Sequence, residues 1–269
     1  MNNSSIRRDY NCVSQCSICG LVMQRYKTVG NNIQLNKCIS CGFIQQDLSS
    51  YRSPYFDCDY YKAVNAADVL PDRPLIKYRI NNILKFIKGG CAVDLGCGLG
   101  EMAIALAKNG FKTYAIDESD NAIKYLSKYH PEVTSINANI QDLSKYSSTY
   151  DLVTLYHVLE HVPNYREICQ MISKVLNTKG VLVVEVPNVS GIKSILTGDR
   201  WHYYLEHHIN YFTVNTLNTL MKSVGLRLIC YEGKYHFNYP QGKYIIDRYH
   251  FLLSKLGWSD IITTYWRKD

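Results

Sequence analysis

Two cysteine pairs, Cys16-x-x-Cys19 and Cys38-x-x-Cys41, carry the sharpest chemical signal near the N-terminus. Each C-x2-C step is a knuckle whose two sulfurs point at one centre. The full C-x2-C-x18-C-x2-C spacing falls in the range of zinc ribbons. Four thiolates complete a closed tetrahedral Zn2+ site with no open position for catalysis, so the expected metal is structural. Its binding free energy would fold a module too small to hold itself together. Cys12 lies nearby as a spare thiol, whereas Cys58, Cys91, Cys97, Cys169 and Cys230 read as small buried hydrophobes.

A second signal is V-D-L-G-C-G-L-G over residues 93–100. Gly96, Gly98 and Gly100 let the chain turn sharply between a strand and a helix, and let a ligand approach the backbone. A glycine loop alone does not separate a dinucleotide from other nucleoside ligands. Two acids do. Asp117, closing the string Y-A-I-D, can accept from both hydroxyls of a ribose. Asp94, two residues before the first glycine, would repel a diphosphate and suits a ligand with a cationic amino-acid end.

The third signal is a pair of histidine-rich strings. H-V-L-E-H at 157–161 matches the H-x-x-E-H signature of inverted zinc proteases, whose ligands must share one helix face. Here the string follows a strand and is cut by Pro163, so no helix is expected through it. D-R-W-H-Y-Y-L-E-H-H-I-N-Y-F-T at 199–213 crowds Trp201, Tyr203, Tyr204, His207, His208, Tyr211 and Phe212 together, as expected of a functional lid.

Alternating elements must position these residues. Leu75, Ile76, Ile80, Ile83, Leu84 and Ile87 recur at helical spacing. Strands are then expected at 92–95, 112–116, 133–137, 151–156, 181–186, 227–231 and 260–266. Helices are expected at 102–109, 121–129, 165–176, 214–224 and 244–256. Apolar strands separated by helices imply an α/β fold: a doubly wound, mostly parallel sheet covered on both faces. Ligands of such sheets bind beyond the carboxyl ends of the strands. His157, Glu160 and His161 lie there, just after the fourth strand. The expected organisation is a zinc ribbon at 12–47, a Tyr-rich connector at 48–74, and a catalytic-type domain at 75–269 with the lid insertion at 188–212.

These strings occur in the order seen in class I S-adenosylmethionine methyltransferases, and the resemblance covers residues 75–267. It implies a Rossmann-like seven-stranded sheet whose last strand is antiparallel. It also carries over cofactor roles for Asp94, Gly96, Cys97, Gly98, Gly100, Asp117 and His157. A-N-I-Q-D-L at 138–143 carries over Asn139 and Ile140 as adenine-edge contacts, and Asp142 less directly. Trp201 and H-I-N-Y-F-T at 208–213 resemble a string found before the next helix in similar enzymes. His161 and His208 are the candidate bases, since an unperturbed imidazole suits proton removal near neutral pH. Glu160 is expected to orient one of them. A four-Cys knuckle, a Tyr-rich connector and this core together resemble enzymes that methylate deoxysugars, nucleotide sugars or surface-glycan precursors. Tyr55-Phe56 and Tyr60-Tyr61 resemble tyrosines placed over the acceptor there. Larger sugar C-methyltransferases carry a further C-terminal domain, so O-methylation, or N-methylation of an amino sugar, is the expectation here.

Composition narrows the alternatives. The formal net charge is +7, yet Lys and Arg are scattered and form no block. That speaks against an RNA methyltransferase with a zinc module. The intact glycine loop with both Asp94 and Asp117 argues against a non-catalytic cofactor-binding protein that keeps the fold. No signal-like apolar run follows the opening residues and no apolar stretch approaches a membrane span, so a cytoplasmic protein is expected.

Overall fold

The computed structural model describes residues 12–49, 69, 71–145, 149–234 and 258–269. Tyr55, Phe56, Cys58, Tyr60, Tyr61 and the helix expected at 244–256 lie outside the described residues. The N-terminal part is built from β1 (Cys12–Gln15), β2 (Val22–Val29), β3 (Ile33–Cys38) and β4 (Ile44–Gln46). Gly20, Gly30 and Gly42 all take positive φ at its turns.

The larger part alternates as its apolar periodicity requires. It runs through α1 (Pro74–Ile83), β5 (Gly90–Leu95), α2 (Glu101–Lys108), β6 (Phe111–Asp117), α3 (Asp120–Tyr129), β7 (Val133–Asn137), β8 (Tyr150–Tyr156), α4 (Tyr165–Val175) and β9 (Leu176–Pro187). It continues through α5 (Ile192–Thr197), β10 (Asn210–Tyr211), α6 (Val214–Ser223), β11 (Leu226–Lys234) and β12 (Ile261–Lys268). Seven strands form one sheet in the order β7-β6-β5-β8-β9-β12-β11. The five from β7 to β9 are parallel, and β12 runs antiparallel to both β9 and β11. The fold class is therefore the expected Rossmann-like one. Val181–Val184 in β9 are all buried because helices cover both faces of the sheet. Local caps fix the helix starts: the Ser119 hydroxyl accepts from the Ala122 N–H, and Thr213 and Thr216 form a reciprocal capping box on α6.

The N-terminal part is not a free-standing unit. Strand β10, from the insertion after β9, joins β4 and makes a five-stranded sheet β1-β2-β3-β4-β10. Phe43 is fully buried, with its ring centroid 5.4 Å from Tyr165 and 5.3 Å from Phe212. Cys16, Ile18, Met23, Cys38 and Phe43 share one apolar cluster with β5, β8, β9 and α4. Truncating a ring such as Phe43 in a shared core costs about 3–5 kcal/mol. The insertion likewise differs from a mobile flap. Trp201, Tyr203, Tyr204 and Tyr211 are buried against Val29, Ile33, Leu35 and Ile44, so its aromatics are the cement between the two sheets.

Candidate active site

The glycine loop leaves β5 and enters α2 with Gly96, Gly98 and Gly100 all at positive φ. A Cβ on Gly96 would lie 2.6 Å from Val158 Cγ2, so only glycine fits beneath the segment after β8. Gly98 N–H donates to Asp117 Oδ2 and Ser119 N–H to Oδ1, each at 2.8 Å. Both carboxylate oxygens are thereby aimed along the loop, and each keeps a further lone pair for a ligand hydroxyl. Asn139 follows β7; its amide donates to Glu118 Oε1, and its own oxygen accepts from Gln141 N–H. Ile140 is buried beside it.

Asp94 is 3% exposed and accepts a 2.6 Å hydrogen bond from Thr154 Oγ1. Burial pushes its carboxyl up to about 7, against the opposing pull of Thr154 and Arg79. An acid in that state gains from a cation placed beside it, as the sequence motif implies.

Residues His157–Val162 form turns rather than a helix, so the inverted-protease arrangement does not exist here. His157 sits at φ +57°. Its Nδ1 lies 3.2 Å from Glu160 Oε1 and its Nε2 3.4 Å from Glu185 Oε1. Burial disfavours the imidazolium, but the two carboxylates outweigh it and raise His157 to about 9. With both ring nitrogens donating, His157 is a cation at neutral pH and holds no lone pair for a proton. Glu160 is buried; burial raises its carboxyl, yet the His157 contact outweighs this and holds it below the ordinary range. The expected partnership of Glu160 with His161 or His208 is thus taken by His157. Proximity decides it, because His157 is the ring whose nitrogen meets Oε1.

His161 and His208 come together from distant segments, with ring centroids 4.8 Å apart, and His207 stacks 5.3 Å from His161. His161 Nδ1–H donates to the His207 carbonyl at 2.9 Å, and His208 Nδ1–H to the Tyr203 carbonyl at 3.0 Å. A carbonyl only accepts, so these contacts assign the proton to Nδ1 and the lone pair to Nε2 in both rings. His208 is 5% exposed, and burial together with its two neighbouring imidazoles lowers it to about 4. His161 is only partly buried.

One residue locks these segments together. Asn210, 2% exposed, donates from Nδ2 to the Leu159 carbonyl at 3.0 Å and the Val162 carbonyl at 2.7 Å. Its Oδ1 accepts from Gln45 Nε2 at 2.9 Å. The Ile209 and Asn210 N–H groups both reach the Glu160 carbonyl, and Gln46 N–H reaches the Ile209 carbonyl. Asn210, Thr154 and the buried ionic hub on Glu185 were absent from the sequence expectations. Glu185 accepts from Arg79, from Lys234 Nζ at 2.6 Å and from Thr263 Oγ1 at 2.6 Å. Its signal was visible: it is the one charge in the otherwise apolar run 181–186.

The four N-terminal cysteines converge as their spacing implies. Cys16 and Cys41 Sγ lie 3.6 Å apart and Cys19 and Cys38 Sγ 3.4 Å apart, with all four within 4.8 Å of one another. Tetrahedral Zn–S bonds of about 2.3 Å place sulfurs about 3.8 Å apart, so the set fits zinc. Burial opposes ionisation of Cys38, but the N–H groups of Cys41 and Ser40 outweigh it and bring the thiol to about 7. Arg166 of α4 donates to the Ser17 carbonyl at 2.8 Å, tying the first knuckle to the larger sheet.

Residues 72–231 match a family described as a methyltransferase domain. The chain belongs to that family. It is an S-adenosylmethionine-dependent methyltransferase. A ubiquinone biosynthesis O-methyltransferase of Coxiella burnetii (strain RSA 331 / Henzerling II) is 27% identical over 163 residues, 56% of this methyltransferase and 69% of the relative. One of the same description from Rickettsia bellii (strain OSU 85-389) is 30% identical over 121 residues, 41% of this chain and 50% of the relative. The S-adenosylmethionine-dependent methyltransferase of Mesorhizobium loti shares the fold, with a TM-score of 0.55 at 16% identity, covering 74% of this methyltransferase and all of its own chain. No helix among the described residues is long and apolar enough to cross a membrane.

Proposed function

We propose that this methyltransferase moves a methyl group to a hydroxyl oxygen of a small molecule, a sugar or nucleotide sugar, with His161 removing the proton. The observation that carries this is the convergence of two Nδ1-protonated imidazoles, His161 and His208, just beyond β8, after the turn whose Val158 packs against Gly96. Of the two, His161 has the more accessible ring, and burial pushes His208 down to about 4, away from the range that suits a base near neutral pH. His208 then walls the site and packs His161 edge-on. His157, cationic between two carboxylates, shapes the cofactor side. The described relatives named as O-methyltransferases favour oxygen over nitrogen.

S-adenosylmethionine supplies a methyl group already attached to a good sulfonium leaving group. The residues that would hold it are Asp94 at its ammonium end, the 96–100 backbone, Asp117 at the ribose, and Asn139 and Ile140 at the adenine. The protein's own task is to hold the acceptor oxygen in line and take its proton. Zn2+ on Cys16, Cys19, Cys38 and Cys41 is structural, since four thiolates leave no coordination position open. Elemental analysis should find one zinc per chain, and a Cys38→Ser variant should lose it.

The direct test incubates the enzyme with cofactor and panels of nucleotide sugars and ubiquinone-biosynthesis intermediates, with mass detection of a methyl gain. His161→Asn should lower turnover by about 100- to 10,000-fold while cofactor affinity holds. Near-normal turnover in that variant would refute the base assignment. Methylation confined to the ubiquinone intermediates, the second acceptor class that the relatives' names favour, would replace the sugar.

A further inference from the structure

Three histidines meet at the carboxyl edge of the large sheet, yet proton removal needs only one of them. One ring nitrogen from each of His161, His207 and His208 lies within 4.8 Å of the others. We propose that these three imidazoles form a second metal site, separate from the cysteine cluster, for a divalent first-row transition ion.

Three features of the cluster fit this chemistry. First, the ligand set is right: neutral imidazoles suit Zn2+, Co2+, Ni2+ and Cu2+, and suit Mg2+ or Ca2+ poorly. Second, two of the rings are already oriented, and the third, His207, lies against His161 and would turn to bring its nitrogen to the ion. His161 and His208 each donate Nδ1–H to a backbone carbonyl, of His207 and Tyr203 respectively. Histidine ligands are held in the same way in established metal sites, where the second nitrogen donates to a carbonyl or carboxylate and the other takes the ion. Third, the charge balance is favourable. Glu160, buried and adjacent in sequence to His161, interacts electrostatically with both His161 and His208, and its Oε2 meets no partner among the described residues. A divalent ion on the rings would add to the compensation that His157 already gives that carboxylate. Metal–nitrogen bonds of about 2.0–2.1 Å hold tetrahedral ligands about 3.4 Å apart, so movements of about 1 Å close the cluster.

The cluster also gathers from two segments that the Asn210 hydrogen bonds hold in register, His161 after β8 and the His207-His208 pair in the insertion. That makes it a built site rather than a flexible tail. Resting on the base assignment above, a consequence follows. An ion on His161 occupies the lone pair that proton removal requires, so metal occupancy and methyl transfer exclude each other, and the site is inhibitory.

Cobalt tests this directly. The full chain, with its cysteine cluster loaded with zinc, is titrated with Co2+ and followed by visible absorption and equilibrium dialysis. The expected result is one Co2+ per chain with the d–d bands of an imidazole-ligated ion and no thiolate-to-cobalt charge transfer. His207→Ala and the bulkier His207→Gln should each weaken Co2+ binding by more than about tenfold. His207 is only partly buried, and unchanged cofactor affinity in each variant verifies that it has folded. No Co2+ beyond the cysteine cluster, a thiolate charge-transfer band, or unchanged affinity in both folded variants would overturn the site. Methyl transfer measured in the same titration separates the two assignments. If Co2+ binds as expected and turnover is unaffected, the metal site stands and His161 is not the base.

Discussion

Asn210 offers the clearest way to perturb the acceptor wall without touching it. Its side chain satisfies two carbonyls of the turn that carries Glu160 and His161, and accepts from Gln45 in the cysteine-bearing sheet. Asn210→Ala leaves the Leu159 and Val162 carbonyls without that donor. At about 1–3 kcal/mol per buried group left unsatisfied, partly relieved by water entering the small cavity, the loss should be about 2–4 kcal/mol. For a chain of this size about 2–4 °C of Tm accompanies each kcal/mol, so the melt should fall by about 4–16 °C. Asn210→Asp keeps the shape but sets a carboxylate against two carbonyls, and should be no milder. The turn would relax by a fraction of an ångström, enough to lower single-turnover methyl transfer about 100-fold. The hydrogen bonds of Asn210 go to the turn after β8 and to Gln45 rather than to the glycine loop or Asp117, so calorimetric affinity for S-adenosylmethionine should hold. Chelating the zinc acts on the same wall, so the two losses in turnover should overlap rather than multiply. A variant that melts early but turns over normally would show that Asn210 supports only the fold. Full multiplication of the two losses would show that the zinc acts elsewhere.

Three further outcomes follow from named groups. Asp117→Ala should weaken S-adenosylmethionine binding by about 1.5–3 kcal/mol, read by calorimetry, with unchanged affinity refuting the ribose assignment. Asp94 stands at about 7, with Thr154, Arg79 and Asp117 acting on it. Because the cofactor's ammonium requires the ionised acid, affinity should rise about tenfold per pH unit up to about 7, then level until the cofactor's own α-amine deprotonates near about 8. Asp94→Asn should flatten that rise, and a flat wild-type profile would remove Asp94 from the site. Glu185→Gln should destabilise the fold by about 3–5 kcal/mol in denaturant melts, because it strands Arg79 and Lys234 as buried cations. A loss under about 1 kcal/mol would mean that water already screens the pair.

The alternation of apolar strands and helices was legible because the central strands β5, β8 and β9 are buried on both faces along most of their length and therefore read as near-continuous apolar runs. Val133–Asn137 was expected and found with identical bounds. The glycine loop and the cysteine pairs were legible because both demand residue types at fixed short spacing. What escaped was long-range. Strand β10 is two residues long, with no periodicity to betray it, and its pairing with β4 spans more than 160 positions of sequence. Asn210 looked like one polar residue within a recognisable string, and nothing local says that its amide bridges two sheets. Glu160 was matched to the wrong histidine because sequence shows adjacency, while the +57° φ of His157 swings that ring back over the turn.

The buried charges at the carboxyl edge call for an account beyond stability. Arg79, Lys234 and the His157 imidazolium converge on Glu185, with Glu160 on the far side of His157. Such clusters contribute little net stability, since desolvation offsets most of the attraction, so their value lies in fixing geometry. Here the geometry fixed is that of the turn after β8. Arg79 comes from α1, with its guanidinium 4.0 Å from the centre of the Tyr156 ring, and Lys234 comes from the end of β11. Glu185 collects both, and His157 then links Glu185 to Glu160, whose backbone carbonyl receives the N–H groups of Ile209 and Asn210. The turn that presents His161 is therefore held from both sides, by ions on the side of the large sheet and by amides on the side of the cysteine-bearing sheet. Together they fix the place of the His161 imidazole beyond β8, as in-line transfer would require if that ring takes the acceptor's proton.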